Sequence, residues 1–74
     1  EGSTLVNMGN NFYAQRDFDA AIKYMEKGLK IFHEIGDKSH SIPTLHNMAL
    51  IAYKNKDIEK FLEYETAAYK IAIE

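Results

Sequence analysis

Thr4-Leu5-Val6-Asn7-Met8 returns forty residues later as Thr44-Leu45-His46-Asn47-Met48. The same shift pairs Tyr13 with Tyr53, Asp17 with Asp57, Tyr24 with Tyr64, Lys30-Ile31 with Lys70-Ile71 and Glu34 with Glu74. Ten of the thirty-four overlapping positions are identical, against about two by chance, so the chain reads as two copies of one unit. Other pairs are conservative: Gly9/Ala49, Arg16/Lys56, Phe18/Ile58, Ile22/Leu62 and Gly28/Ala68.

Within each copy the apolar spacing is helical. Leu5, Met8 and Phe12 fall three and four apart, as do Leu45, Met48 and Ala52. A wider stripe follows in Phe18, Ala21, Ile22, Met25, Leu29 and Phe32, with Ile58, Phe61, Leu62, Tyr69 and Ala72 as its counterpart and Glu65 interrupting it. No strand alternation of useful length occurs. The expectation is an all-α chain of two tandem helix-turn-helix repeats, four antiparallel helices forming a piece of an α-solenoid. It is one domain over residues 1–74, with repeat one at about 3–36 and repeat two at about 39–74.

Capping chemistry sets the limits. Ser3 is a good N-cap for a first helix running to about Gln15, and Asp17 for a second reaching about Glu34. Gly36 can take the left-handed conformation that ends a helix. Asp37, Ser39 or Ser41 could cap the third helix. Pro43 is comfortable only in a first turn, which favours a start near Ser41; a start at Asp37 would place a bend at the proline. Asp57 mirrors Asp17 and caps the fourth helix.

One exchange supports the alignment. Phe12 and Ala21 of the first copy become Ala52 and Phe61 in the second. Large-small has become small-large at two positions expected to face each other across a hairpin, the kind of volume-conserving swap that a packed core tolerates.

Taken together, Leu5…Met8-Gly9…Phe12…Ala21…Met25…Gly28 and the run Phe12-Tyr13-Ala14-Gln15-Arg16-Asp17-Phe18-Asp19-Ala20-Ala21-Ile22 resemble the tetratricopeptide repeat (TPR). The second copy reads Leu45…Met48-Ala49…Tyr53…Asp57…Ala68 and departs at Ala52, Phe61 and Glu65. The period of forty looks like the extended variety of that family, which is found in signalling scaffolds. The resemblance implies a non-enzymatic scaffold that binds a protein or peptide in a concave groove lined by the first helix of each repeat. On the faces turned away from the core, that groove would hold Asn10, Tyr13, Asn47, Leu50, Tyr53 and Lys54, with Ser3, Val6, Ala14, Pro43 and His46 around them. An asparagine amide both donates to and accepts from a peptide backbone, and tyrosine adds apolar area with a polar tip. Some members clamp a terminal carboxylate with a lysine in the first helix; Val6 stands in that place here, so that clamp is not expected. In such a stack Gly9, Gly28, Ala21, Ala49 and Ala68 let helices approach closely.

The alternative is self-association through the last helix. Two repeats are fewer than the three usually needed, and terminal repeats normally carry a polar outer face. Here the last helix offers Tyr69, Ile71 and Ile73, so a homodimer could cover that end. The chain also stops within an apolar-periodic stretch, Tyr69 to Glu74, and is expected to be a piece of a longer array.

Composition removes other classes. Seventy-four residues make a small core, of which about 3–5 kcal/mol of net stability is usual. The absence of cysteine rules out disulfides and thiolate metal sites and fits a reducing, cytoplasmic setting. A net charge of −2 from interspersed residues leaves no basic stripe for nucleic acid, and no apolar run is long enough to span a membrane. His33, His40 and His46 have spacings that put no two on one helical face, so no metal is expected. Ser39-His40-Ser41 has neither an orienting acid nor an oxyanion hole. Neither a phosphate-binding glycine loop nor a carboxylate pair is present, and no cofactor is called for.

Overall fold

The computed structural model describes residues 2–74. It contains four helices: α1 (Gly2–Ala14), α2 (Phe18–Glu34), α3 (Lys38–Lys54) and α4 (Ile58–Ile73). Each turn follows one recipe. A residue at positive φ (Arg16 at 63°, Gly36 at 70°, Lys56 at 62°) is followed at once by an aspartate. The aspartate N–H reaches back to a carbonyl five residues earlier: Asp17 to Phe12 at 2.9 Å, Asp37 to Phe32 at 2.8 Å and Asp57 to Ala52 at 2.8 Å. The residue before it donates to the carbonyl three back, completing the paired bonds that close a helix C-terminus. The aspartate side chain then accepts from the third residue of the next helix: Ala20 N–H at 3.2 Å, His40 N–H at 3.1 Å and Lys60 N–H at 3.2 Å. Caps at 17, 37 and 57 fold the chain back every twenty residues.

Two expected helix starts need correction. Ser3 lies inside α1, because the helix has already begun at Gly2. Asp37, rather than Ser41, caps α3, and Pro43 is the sixth residue of that helix. The proline lacks an N–H to give to the Ser39 carbonyl, but Ser39 is exposed and solvent can take that role. Around it the buried hydroxyls turn inward on their own helix, Ser41 donating to the Asp37 carbonyl and Thr44 to the His40 carbonyl, each at 2.7 Å. A full first turn anchored by Asp37 therefore carries the helix past the proline.

The helices pack in chain order, α1 on α2, α2 on α3 and α3 on α4. Because α3 is flanked on both sides, it supplies most of the core: Leu45, Met48, Ala49, Ile51 and Ala52, joined by Ala21 and Met25 of α2 and by Tyr64 and Ala68 of α4. Burying a methionine such as Met25 or Met48 stabilises the fold by roughly 1.5–3 kcal/mol.

Close approach explains the helix glycines. A Cβ on Gly9 would lie 2.7 Å from Met25 Cγ and 2.9 Å from the Ala21 carbonyl oxygen. On Gly28 it would lie 2.8 Å from the Gly2 carbonyl oxygen and 2.9 Å from Val6 Cγ2. Gly2 is buried as well, against the ring of Phe32. The large-small exchange also has a physical form. Ala21 and Ala52 are buried, whereas the half-buried Phe12 stacks on Tyr24 at 5.2 Å and Phe61 lies against Tyr53 at 5.6 Å.

Candidate functional site

The first helix of each pair, α1 and α3, forms the walls of two shallow depressions. One, of about 180 Å³, is lined by Ser3, Val6 and Asn7 of α1, His40, Pro43, Thr44 and Asn47 of α3, and the edge of Phe32. The other, of about 240 Å³, lies at the opposite end of the two helices and is lined by Tyr13, Ala14, Arg16, Phe18 and Lys54. Both are smaller than the ~300–1,000 Å³ typical of small-molecule pockets and suit single side chains instead.

The expected groove residues divide between these places. Asn47 lines the first depression, and Tyr13 and Lys54 the second. Asn10, Leu50 and Tyr53 are exposed on the same helices but line neither. Tyr53 leans instead on Phe61 of α4. His46 also turns toward α4, where its Nδ1 lies 2.9 Å from Glu65 Oε1. This contact accounts for the charged interruption in the α4 stripe. The shift of forty carries Val6 to His46 and Met25 to Glu65, so an apolar pair of positions has become a polar one. Of the residues expected at the open end, Tyr69 and Ile73 are exposed, but Ile71 packs partly buried against the core. It is half-buried on the core side of α4 rather than exposed at the open end.

Asn7, Arg16 and His40 line the depressions although none of them is expected in the groove from the sequence. Asn7 is signalled by its identity with Asn47 under the shift, and the two amides share a depression. His40 is not foreseeable in its present role. Its Nδ1 lies 2.7 Å from Asp37 Oδ2, and its ring stacks on Phe32 at 5.1 Å. The second depression is cationic and aromatic, with Arg16 and Lys54 beside Tyr13 and Phe18, whose rings lie 5.9 Å apart.

A third cleft, of about 240 Å³, lies where α2 meets the α3–α4 turn. Asp19, Glu26 and Asp57 line it with Lys60, and the phenol of Tyr64 reaches it. Burial first, then the charges of Glu26, Glu63 and Asp57, push the Tyr64 hydroxyl up to about 12. A phenol held protonated among carboxylates is a poor nucleophile. Among the described residues no three histidine, aspartate or glutamate side chains gather as a metal group, and no helix is long and apolar enough to cross a membrane.

The tetratricopeptide repeat family model matches residues 1–74. The chain belongs to that family. Consecutive helix pairs joined by tight turns are its architecture, and its members are typically protein-interaction scaffolds rather than catalysts. No curated protein and no solved structure matches the chain.

Proposed function

We propose that the chain binds an extended segment of another protein along the valley between α1 and α3. The observation that carries this reading is the pair of depressions bracketing the valley, one with two equivalent asparagines and one with two cations beside two aromatic rings. From Asn7 to Tyr13 is six residues of α1, about 9 Å at 1.5 Å per residue, which an extended peptide covers in about three residues. The Asn7 and Asn47 amides would hold the peptide backbone by accepting its N–H groups and donating to its carbonyls. Arg16 and Lys54 would favour an acidic side chain or terminus with an apolar neighbour against Tyr13 and Phe18.

Random-peptide display on the immobilised chain tests this. Enriched peptides should carry an acidic and an apolar residue within about four positions. Asn47→Ala and Lys54→Ala should each weaken them about five- to thirtyfold, the equivalent of roughly 1–2 kcal/mol, without loss of helicity. Peptides indifferent to both substitutions would place the binding surface elsewhere.

A further inference from the structure

Four of the large apolar side chains left exposed lie on one helix: Ile58 at 51%, Leu62 at 57%, and Tyr69 and Ile73 at 66% each. In helical projection they fall within a narrow stripe, directed away from the Tyr64, Ala68 and Ile71 side of α4 that meets the core.

Two comparisons within the chain give this stripe meaning. The first is with α2, the equivalent helix. Its stripe is Phe18, Ile22, Leu29 and Phe32, and α3 packs on that helix. Under the forty-residue shift, Phe18, Ile22 and Leu29 become Ile58, Leu62 and Tyr69, but Phe32 becomes Ala72 while exposed His33 becomes Ile73. The apolar end of the stripe has thus moved by one residue, about 100° around the helix. The α2 spacing of 4, 7 and 3 has become 4, 7 and 4 in α4. The new pattern reads the same in both directions, with its centre between Glu65 and Thr66.

The second comparison is with the other end of the stack. Thr44, Met48 and Ile51 are buried in α3, whereas their counterparts Thr4, Met8 and Asn11 are exposed on α1. Asparagine in place of isoleucine makes that face the more polar one. A head-to-tail contact of α1 on α4 would set it against the α4 stripe.

A stripe that reads the same in both directions matches itself when two helices run antiparallel about a twofold axis. We infer that α4 is a self-association surface whose partner is α4 of a second copy of this chain, antiparallel, with its axis at Glu65–Thr66. Ile58 then lies opposite Ile73 of the second copy, and Leu62 opposite Tyr69. A shallow depression of about 360 Å³ beside Leu62 and Thr66, walled by Glu63, Ala67 and Lys70, receives the tyrosine ring. The charges on this flank agree. Glu59, Glu63 and Lys70 share one side of the stripe. The antiparallel register keeps this flank on the same side in both copies and sets Lys70 opposite position 61 of the second copy, between its Glu59 and Glu63. The inference does not depend on the α1–α3 valley.

Sedimentation of the 74-residue chain across a concentration series, with cysteine cross-linking, is the test. A single helix pair is a small interface, so a dimer should dominate only near or above about 100 µM. Leu62→Glu and Tyr69→Glu, both at exposed positions, should each weaken it at least about tenfold while leaving the circular dichroism of the monomer unchanged. The chain has no native cysteine, so single introduced ones report register cleanly. Thr66→Cys, beside the axis, should form a disulfide-linked dimer under mild oxidation. Ile58→Cys should not, since its symmetry mate is fifteen residues away along the helix, about 22 Å. A chain that stays monomeric at about 1 mM overturns the inference. A dimer indifferent to Leu62→Glu and Tyr69→Glu, or one in which Ile58→Cys links to itself, overturns it as well.

Discussion

The two hairpins share their turns but not their packing. In the first, α1 and α2 meet through Gly9 and Gly28, where an added Cβ would fall under 3 Å from a neighbouring backbone oxygen. In the second, the equivalent contacts are made by Ala49 and Ala68, both buried at 1% exposure. The first pair therefore approaches backbone to backbone, and the second is spaced by a methyl layer. The rest follows suit. The second hairpin buries Ile51 and Tyr64, where the first has exposed Asn11 and half-buried Tyr24. One backbone plan thus tolerates two core solutions, because caps and turns fix the chain path while volume is redistributed between facing positions.

The largest effect that would test this contrast is expected from Gly9→Leu. The new side chain would meet Met25 Cγ and the Ala21 carbonyl, and the latter cannot move without the helix. A loss of about 3 kcal/mol or more, comparable to the whole net stability of so small a domain, is expected. Chemical denaturation followed by circular dichroism would read it. Ala49→Gly, the reverse exchange in the second hairpin, should cost only about 1 kcal/mol plus a small cavity. Similar losses for the two substitutions would erase the distinction between the hairpins.

A middle-sized effect concerns the turns, which the hairpins share. A Cβ added to Gly36 would meet nothing within 4 Å, so Gly36→Ala creates no clash and faces only the strain of φ at 70°. About 1–2 kcal/mol of destabilisation is expected. Lys56 already carries that strain at φ 62°, so Lys56→Gly should raise stability by up to about 1 kcal/mol. Thermal unfolding of both variants compares the turns directly. If Lys56→Gly destabilised the chain, a contact of the lysine side chain would have to outweigh the backbone term.

Much of this is legible in the sequence, and the exceptions have physical causes. The shift of forty reveals four helices and the caps at Asp17 and Asp57, because those depend on residues within a turn or two of each other; the close-packing glycines follow from the resemblance to the repeat family instead. The α3 start escapes it because the proline rule concerns one backbone bond and one clash, whereas Asp37, Ser41 and Thr44 together hold the turns on either side of Pro43. Ile71 is misplaced because Tyr69 and Ile73, four apart, share one face of α4 while Ile71 lies on the other side, and only the packing of α4 on α3 decides which side faces inward. Of the two depressions, the sequence marks the faces of α1 and α3 that line them but not their division into two nor the part played by Phe32, His40, Arg16 and Phe18. Their lining depends on how far apart α1 and α3 lie, which is set by α2 beneath them rather than by either helix alone. Asn7 can be read from its identity with Asn47.

The smallest expected effect bears on a contact where two apolar positions of the first hairpin have become polar in the second. His46 and Glu65, 2.9 Å apart, are 55% and 39% exposed at their side chains. So open a pair is worth between about 0 and 1 kcal/mol. His46→Val with Glu65→Met installs the residues that the first hairpin has at these positions. The pair's loss and the added apolar contact on α3 should nearly cancel, leaving stability within about 0.5 kcal/mol, or a few degrees in Tm. The single substitutions should couple by less than about 1 kcal/mol in a double-mutant cycle. The comparison belongs at low micromolar concentration, since Glu65 borders the centre of the α4 stripe and a methionine there would extend its apolar surface. A coupling of several kcal/mol would mean that His46 and Glu65 hold α3 to α4. The second hairpin would then differ from the first by a polar lock as well as by methyl groups.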